Sequence, residues 1–331
     1  MKRRPTSTDV AVAAGVSKWT VIRAFDPEAS IADSSRERVL KEAAKLGYRP
    51  NLLARSLATN TTNLVAVLVD DFVNFHKLPV LEMLTLALQA EGMAAILINI
   101  NQRFDHLEAL LNAGQRQVDA VILMGTAFRD ETLQNRANLA TSPPLFVLAR
   151  ESTIGSIPSV SCDAEQSMIE IGVHLWERGY RQPGYMSGPR TLSTALGRGR
   201  YFSEFWQSHG QLNIPLLSAG SYDPQDSALA FRKYLESTPA VERIDVLMCE
   251  NDALAMGAID VARYEFGLHV PKDLAIVGYD GIAVAAAPAY NITTVEQPME
   301  QMVKALISIM KGRLEAKSMA FPGRLIVRGS T

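Results

Sequence analysis

Apolar and polar positions alternate with two different periods along this chain. Within the first fifty residues apolar side chains recur at helical spacing in short blocks broken by turn residues. From Leu64 onward, short apolar runs alternate with longer helix-period segments. The first pattern predicts a small all-α unit. The second predicts parallel strands joined by crossover helices, because a strand covered on both faces reads as an unbroken apolar run.

The N-terminal blocks are punctuated in a specific way. Thr6 stands three residues before Asp9 and in front of an apolar Val/Ala run, so Thr6 can cap a first helix while Asp9 favours its positive end. Asp9 is shorter than the Glu of an ideal capping box. Gly15 falls where the chain must turn, and Ser17 offers the next cap, which starts a second helix at Lys18. Val10, Ala14, Val16, Val21 and Ala24 then form a small core, leaving Lys18, Trp19 and Arg23 facing outward. Helix, tight turn and second helix is an arrangement whose usual partner is a DNA groove. Lys18 and Arg23 can donate to guanine edges, Trp19 can pack on a thymine methyl, and Ser17 and Thr20 suit phosphate positioning. A third helix is expected from Asp33 or Ser34 to Leu46, with Val39, Leu40, Ala43 and Leu46 as its buried stripe and Gly47 as its stop. The segment from Asn51 to Ala58 is too short for a stable isolated helix and reads as a hinge that folds conditionally.

In the body, Leu64–Val69, Ala94–Ile100, Ala120–Met124 and Leu145–Leu148 read as strands, with helices near Leu78–Glu91, Phe104–Gln115 and Glu131–Leu139. After a first subdomain ending near Ser161, the pattern resumes. A helix runs from Ala164 to Arg178, a strand lies near Gly184–Met186, and helices follow near Arg198–Ser208 and Gln225–Glu236. Strand Val246–Cys249, helix Asp252–Phe266 and strand Leu274–Gly278 complete it. Two doubly wound lobes imply a ligand cleft beyond the carboxyl ends of the strands, with hinge closure available.

Charge sharpens this division. The first 60 residues hold eleven Lys/Arg against six Asp/Glu, a local +5 that leaves −7 of the overall −2 for the remainder. A positive head can displace counterions from phosphates while a negative body stays off nucleic acid. With 331 residues, more than one core is expected. Cys162 and Cys249 stand alone in apolar surroundings, so no disulfide framework or metal spacing is suggested, and a reducing cytoplasm fits. No stretch approaches membrane-spanning length, and Lys2-Arg3-Arg4 is followed by too short an apolar run for a secretion signal. His76, His106, His174, His209 and His269 are scattered, and Gly197-Arg198-Gly199 lacks the remaining glycine of a dinucleotide fingerprint. An enzyme is therefore disfavoured, and no cofactor or metal is expected. A sugar-binding transport protein would share the two lobes but has no use for Lys18, Trp19 and Arg23.

Larger patterns point to a family. Thr6 to Arg23 reads T-x-x-D-V-A-x-x-A-G-V-S-x-x-T-V-x-R, Arg36 to Asn51 reads R-x-R-V-L-x-x-A-x-x-L-G-Y-x-P-N, and Ala54 to Thr59 reads A-R-S-L-A-T. Asn251-Asp252, Val277-Gly278-Tyr279-Asp280, Thr293-Thr294-Val295 and Gln297-Pro298 agree as well. In these blocks the chain resembles the LacI/GalR family of bacterial transcription regulators. The resemblance implies a helix-turn-helix head (1–49), a hinge helix (50–60) and a two-lobed α/β periplasmic-binding-protein-like body (61–331). Lobe 1 would span about 61–161 plus 293–326 and lobe 2 about 162–292, with the chain crossing back near Thr293-Thr294. It implies a homodimer on near-palindromic operator DNA, controlled by a small-molecule effector, a sugar or sugar derivative. Leu57 matches the hinge leucine that wedges the minor groove, flanked by Ala54 and Arg55, and Thr6 and Asn51 join the candidate DNA contacts. Arg198, Asp280, Asn251 and Tyr222 match ligand positions, with the planar fork of Arg198 suited to vicinal hydroxyls or a carboxylate. Asn74 and Arg150 are further candidates. The chain departs from the family around Asp70 to Lys77, where Pro-Phe-Phe is missing, and at Ala149, Tyr201 and Ala32, so that Tyr201 is expected to narrow the cleft and Asp33 or Ser34 to supply the helix cap in place of Ala32.

Overall fold

Three helices carry the N-terminal unit: α1 (Ser7–Ala14), α2 (Lys18–Ala24) and α3 (Asp33–Leu46). The computed structural model describes residues 5–26, 29–50, 56, 61–100, 106–126, 142–152, 154–189 and 197–331. Asn51, Ala54, Arg55 and Leu57 lie outside the described residues, as does the helix expected over Glu131–Leu139. Contacts divide the chain into Met1–Thr62 and Asn63–Thr331.

In the first unit, Asp9 completes a capping box despite its short side chain: Thr6 N donates to Asp9 Oδ2 at 2.7 Å and Asp9 N to Thr6 Oγ1 at 3.4 Å. Gly15 turns the chain at φ 62°, where a Cβ would be strained, and Ser17 caps α2 by accepting from Thr20 N at 3.1 Å. Val10, Val21 and Val39 are completely buried, with Ala14, Ala24 and Ala43 between them. Burial of such a side chain stabilises by about 1.5–3 kcal/mol. Two expectations need correction. Leu40 and Leu46 are each 41% exposed, because three small helices enclose only the Val39/Ala43 edge of α3. The cap of α3 is Ala32, which makes no side-chain cap bond, so Asp33 acts as first-turn charge and not as cap.

Arg36 ties these helices together. From the first turn of α3 it donates to the carbonyls of Ala24 (3.1 Å), Asp26 (2.8 Å) and Ala29 (2.7 Å), satisfying the end of α2 and the loop that follows.

The second unit is built on two parallel sheets. One orders as β11-β5-β4-β3-β1-β2, from Met319–Phe321 (β11), Ser159–Cys162 (β5), Leu145–Leu148 (β4), Ala120–Met124 (β3), Leu64–Val69 (β1) and Ala94–Asn99 (β2). The other orders as β7-β6-β8-β9, from Leu216–Ser218 (β7), Pro183–Ser187 (β6), Val246–Cys249 (β8) and Ala275–Val277 (β9). Crossover helices cover the faces: α4 (Lys77–Ala90), α5 (His106–Gln115), α6 (Ala164–Glu177), α7 (Arg198–Ser208), α8 (Pro224–Ser237) and α9 (Asp252–Asp260). The helix expected to run on to Phe266 continues past Asp260 only as a π-helical turn, Val261–Glu265. Central strands β1 and β3 are buried almost throughout, as two covered faces require.

The chain passes between the sheets more than once. Beyond β9, Thr293 bridges Val277 and β10 (Thr294–Glu296) follows; α10 (Met299–Met310) then packs on α4 and β5, and β11 joins the first sheet. After β12 (Arg324–Ile326), which pairs antiparallel with β10, Ser330 reaches the second sheet, where its carbonyl accepts from Ile276 N at 2.9 Å.

Replacing Arg36 by Ala leaves three carbonyls without their charged donor. It is expected to destabilise the N-terminal unit by about 2 kcal/mol, with Arg36→Lys losing less. Amide hydrogen exchange over residues 10–24 checks this: unchanged protection in Arg36→Ala would remove Arg36 from that role.

Candidate functional site

On the first unit, α2 turns Val21 and Ala24 inward and leaves Lys18, Trp19, Ile22 and Arg23 exposed, Trp19 to 67%. The candidate readers therefore share one outer surface. Ser17 and Thr20 are mutually occupied, Oγ to Oγ1 at 2.9 Å, and Thr6 is engaged with Asp9. These three residues build the helix starts and present backbone N–H groups there.

In the second unit the candidate ligand residues converge at the carboxyl ends of both sheets. Arg198 opens α7, and Phe202 and Trp206, four and eight residues further along the same face, are completely buried, so the arginine is delivered by a packed helix. Only 6% exposed, it donates to the Glu250 carbonyl at 2.5 Å, faces Asp280 Oδ1 at 3.5 Å and lies over the Tyr279 ring at 3.7 Å. Burial works against this cation, but Asp280, Tyr279 and Glu250 outweigh it and hold its pKa above the ordinary value. Asp280 adopts φ 108° and accepts from Gln297 Nε2 at 2.7 Å. His76 approaches the same Gln297 at 3.5 Å, and burial keeps its imidazole below the usual pKa and therefore neutral near pH 7.

The remaining candidates are distributed around this centre. Arg150 lines, with Arg198, Tyr279, Cys162 and Gln297, a small cavity and donates to the Glu151 carbonyl at 3.3 Å. Tyr201, expected to narrow the cleft, is half-buried beside Arg200, 4.3 Å from its ring, and does not line this cavity. Tyr222 donates to Glu250 Oε2 at 3.0 Å. Asn74 Oδ1 accepts from His76 N at 3.0 Å, so Asn74 shapes the loop that presents His76. Asn251 is 2% exposed and its Oδ1 caps α9 by accepting from Leu254 N at 2.9 Å. Asp252 Oδ2 accepts from Ile282 N at 2.9 Å beneath Asp280. The Asn-Asp pair thus holds the loop carrying Asp280.

Sequence reasoning missed three residues: Glu250, Gln297 and His76. Glu250 accepts from Tyr222, from Gly188 N (2.7 Å) and from Tyr185 (3.3 Å). On the first-sheet side, Asp70 binds Lys77 Nζ (3.0 Å) and Thr126 N (2.7 Å), and Gly125 makes room for it, since a Cβ there would fall 2.0 Å from Asp70 Oδ1. Among the described residues, no cluster of three metal-ligating side chains occurs and no helix is long and apolar enough to cross a membrane.

Comparison with known proteins matches the model of bacterial regulatory proteins of the lacI family to residues 6–51, and that of a periplasmic binding protein-like domain to residues 173–331. The chain thus combines a lacI-family helix-turn-helix domain with a periplasmic-binding-protein-like domain. The HTH-type transcriptional repressor PurR of Photorhabdus laumondii is 27% identical over 98% of this chain and 96% of its own length; catabolite control protein A of Priestia megaterium is 29% identical over 98% and 99%. In fold, the chain matches the lac repressor dimer bound to operator and the anti-inducer ONPF, with TM-score 0.85, 22% identity and 99% of each chain covered. A complex of the regulator CelR with cellobiose matches with TM-score 0.70 and 24% identity over 99% of this chain and 100% of that one. With its lacI-family head, the chain is a DNA-binding transcription regulator with a ligand-binding α/β body.

The position of Asp252 has a pH consequence. Burial and the neighbouring Asp280 push its carboxyl up to about 7. An acid with a raised folded-state pKa supports the fold below its unfolded value, near 4, and that contribution is lost as pH rises through about 7. Asp252→Asn retains an acceptor for Ile282 N without the charge. Its stability relative to the native protein is expected to rise between pH 5 and pH 8 by on the order of 2 kcal/mol. Denaturant titration at both pH values measures the difference, and equal differences would contradict the assignment.

Proposed function

We propose that this regulator is an operator-binding repressor that acts as a homodimer in the cytoplasm, and that a small polar effector, a sugar or sugar derivative, sets its affinity for DNA. Residues 1–49 form the reading head, 50–60 the hinge and 61–331 the effector-binding and dimerising body. Lys18, Trp19 and Arg23 read base edges; Thr6, Ser17, Thr20 and Asn51 position the backbone; Leu57, between Ala54 and Arg55 on one side and the body on the other, wedges the minor groove. Arg198, Asp280, Tyr222, Arg150, Asn74 and Asn251 form or shape the effector cleft. The observation that carries this reading is the pairing of two separate features in one chain: an outward α2 face with both cations free of the core, and a buried Arg198–Asp280 centre at the ends of two parallel sheets. An effector changes DNA affinity only by binding two states of the body unequally.

Two experiments test it. Fluorescence anisotropy on operator duplex should show Lys18→Ala and Arg23→Ala weakening specific binding by about 1–3 kcal/mol each, with the apparent affinity falling steeply as salt rises. Loss of nothing in either variant would remove α2 as the reading element. A thermal-shift screen of neutral sugars and nucleobases should find a stabilising ligand whose effect Arg198→Ala erases; a ligand that stabilises both proteins equally would place the effector elsewhere.

A further inference from the structure

The outer surface of α2 has a composition that restricts what it can recognise. Successive helical residues turn by about 100°, so its exposed side chains follow around the helix in the order Lys18, Ile22, Trp19, Arg23, opposite the buried Val21 and Ala24. Two apolar side chains therefore sit between two cations. Trp19 is 67% and Ile22 48% exposed, although the buried core of this unit consists of valines and alanines only. The unit's one tryptophan is thus kept out of the interior and placed beside positive charge. With eleven Lys/Arg against six Asp/Glu in the first 60 residues, that surface matches a polyanion with apolar groups lying between its phosphates, which is what a DNA major groove offers.

Base by base, the available chemistry narrows further. Adenine is read in the major groove by Asn or Gln and the cytosine amino group by Asp or Glu, and residues 17–24 contain none of these. The two hydroxyls at the start of the helix are occupied: Ser17 Oγ and Thr20 Oγ1 lie 2.9 Å apart, and Ser17 Oγ accepts from Thr20 N at 3.1 Å. Lys18 and Arg23 can donate to guanine or to phosphate, while the apolar surfaces of Trp19 and Ile22 fit the one apolar group on the groove floor, the C5-methyl of thymine. We infer that α2 reads its half-site through C5-methyl groups, Trp19 and Ile22 together selecting A·T pairs by the thymine methyl between guanines or phosphates held by Lys18 and Arg23. This rests on α2 being the groove-reading helix and adds what that helix selects.

The test uses the full-length protein and duplexes that it enriches from a random library. Each enriched duplex is synthesised twice, with thymine and with deoxyuridine, which lacks only the methyl group. Fluorescence anisotropy should show the native protein preferring the thymine form by about fourfold for each methyl contacted, and by roughly fifteenfold when each of two half-sites loses one. At the position most sensitive to deoxyuridine, a pair of guanine with 5-methylcytosine should bind more tightly than one with cytosine. Trp19→Ala should reduce the thymine preference to about twofold or less, and Ile22→Ala should reduce it in part. Should Trp19→Ala bind neither duplex measurably, the two comparisons on the native protein decide alone. Equal affinity of the native protein for the thymine and deoxyuridine forms overturns the inference, leaves the DNA-reading role of α2 standing and assigns the apolar pair to a protein contact. A thymine preference unchanged in both variants removes Trp19 and Ile22 as its source and overturns the inference as well. Failure of the native protein to enrich any sequence overturns the reading of α2 itself, and this inference with it.

Discussion

A guanidinium enclosed as completely as that of Arg198 is tolerated only if carboxylate, carbonyl and ring partners replace its lost water. The body supplies those partners from separate places: Asp280 from the loop beyond β9, the Glu250 carbonyl from the end of β8, and the face of Tyr279. Behind the arginine, the rings of Phe202 and Trp206 lie 6.0 Å apart, and Trp206 and Trp176 are likewise 6.0 Å apart. The charge is thus delivered on a helix that cannot easily turn. Removing it would strand Asp280 beside Asp252, whose own burial already disfavours ionisation.

The same residues occupy the passages between the two sheets. Asp280 bridges Glu296, Gly278 N donates to the Thr293 carbonyl, and Ser330 pairs with Ile276 from both its Oγ and its carbonyl. His174 of α6 and Arg178, at its C-cap, hold Thr331 at 2.9 Å each. The loop that carries the candidate ligand residue Asp280 is therefore also one of the connections between the lobes. That is the arrangement in which a change at the cleft most directly alters the relation of the lobes.

Much of this was readable from residue order because the signals were local. Thr6, Gly15, Ser17 and Gly47 each dictate a cap or turn through their own backbone and side-chain chemistry, and continuous apolar runs marked β1 and β3. What was not readable depended on packing between distant segments. Leu40 and Leu46 follow the helical period as faithfully as Val39, yet a three-helix unit is too small to cover them. Strands of three residues, such as β7, β10, β11 and β12, are too short for any period to emerge. The spacing of Met299, Met302, Val303 and Leu306, all buried, is the amphipathic signal of α10. In the cleft, Arg198 and Asp280 are marked as ligand positions by the resemblance; Gln297 stands in a matching block that assigns it no role, and Glu250 and His76 are single polar residues whose convergence only the fold reveals. Asn251 shows the reverse: its Oδ1 is used to start a helix.

The seven-residue helix α2 contributes just Val21 and Ala24 to the interior, while Arg36, from another helix, closes its far end. Its outer residues consequently owe the fold almost nothing. After gene duplication, copies can drift apart in the promoters they recognise through changes at Lys18, Trp19 or Arg23, without first acquiring a compensating change in the framework that holds them.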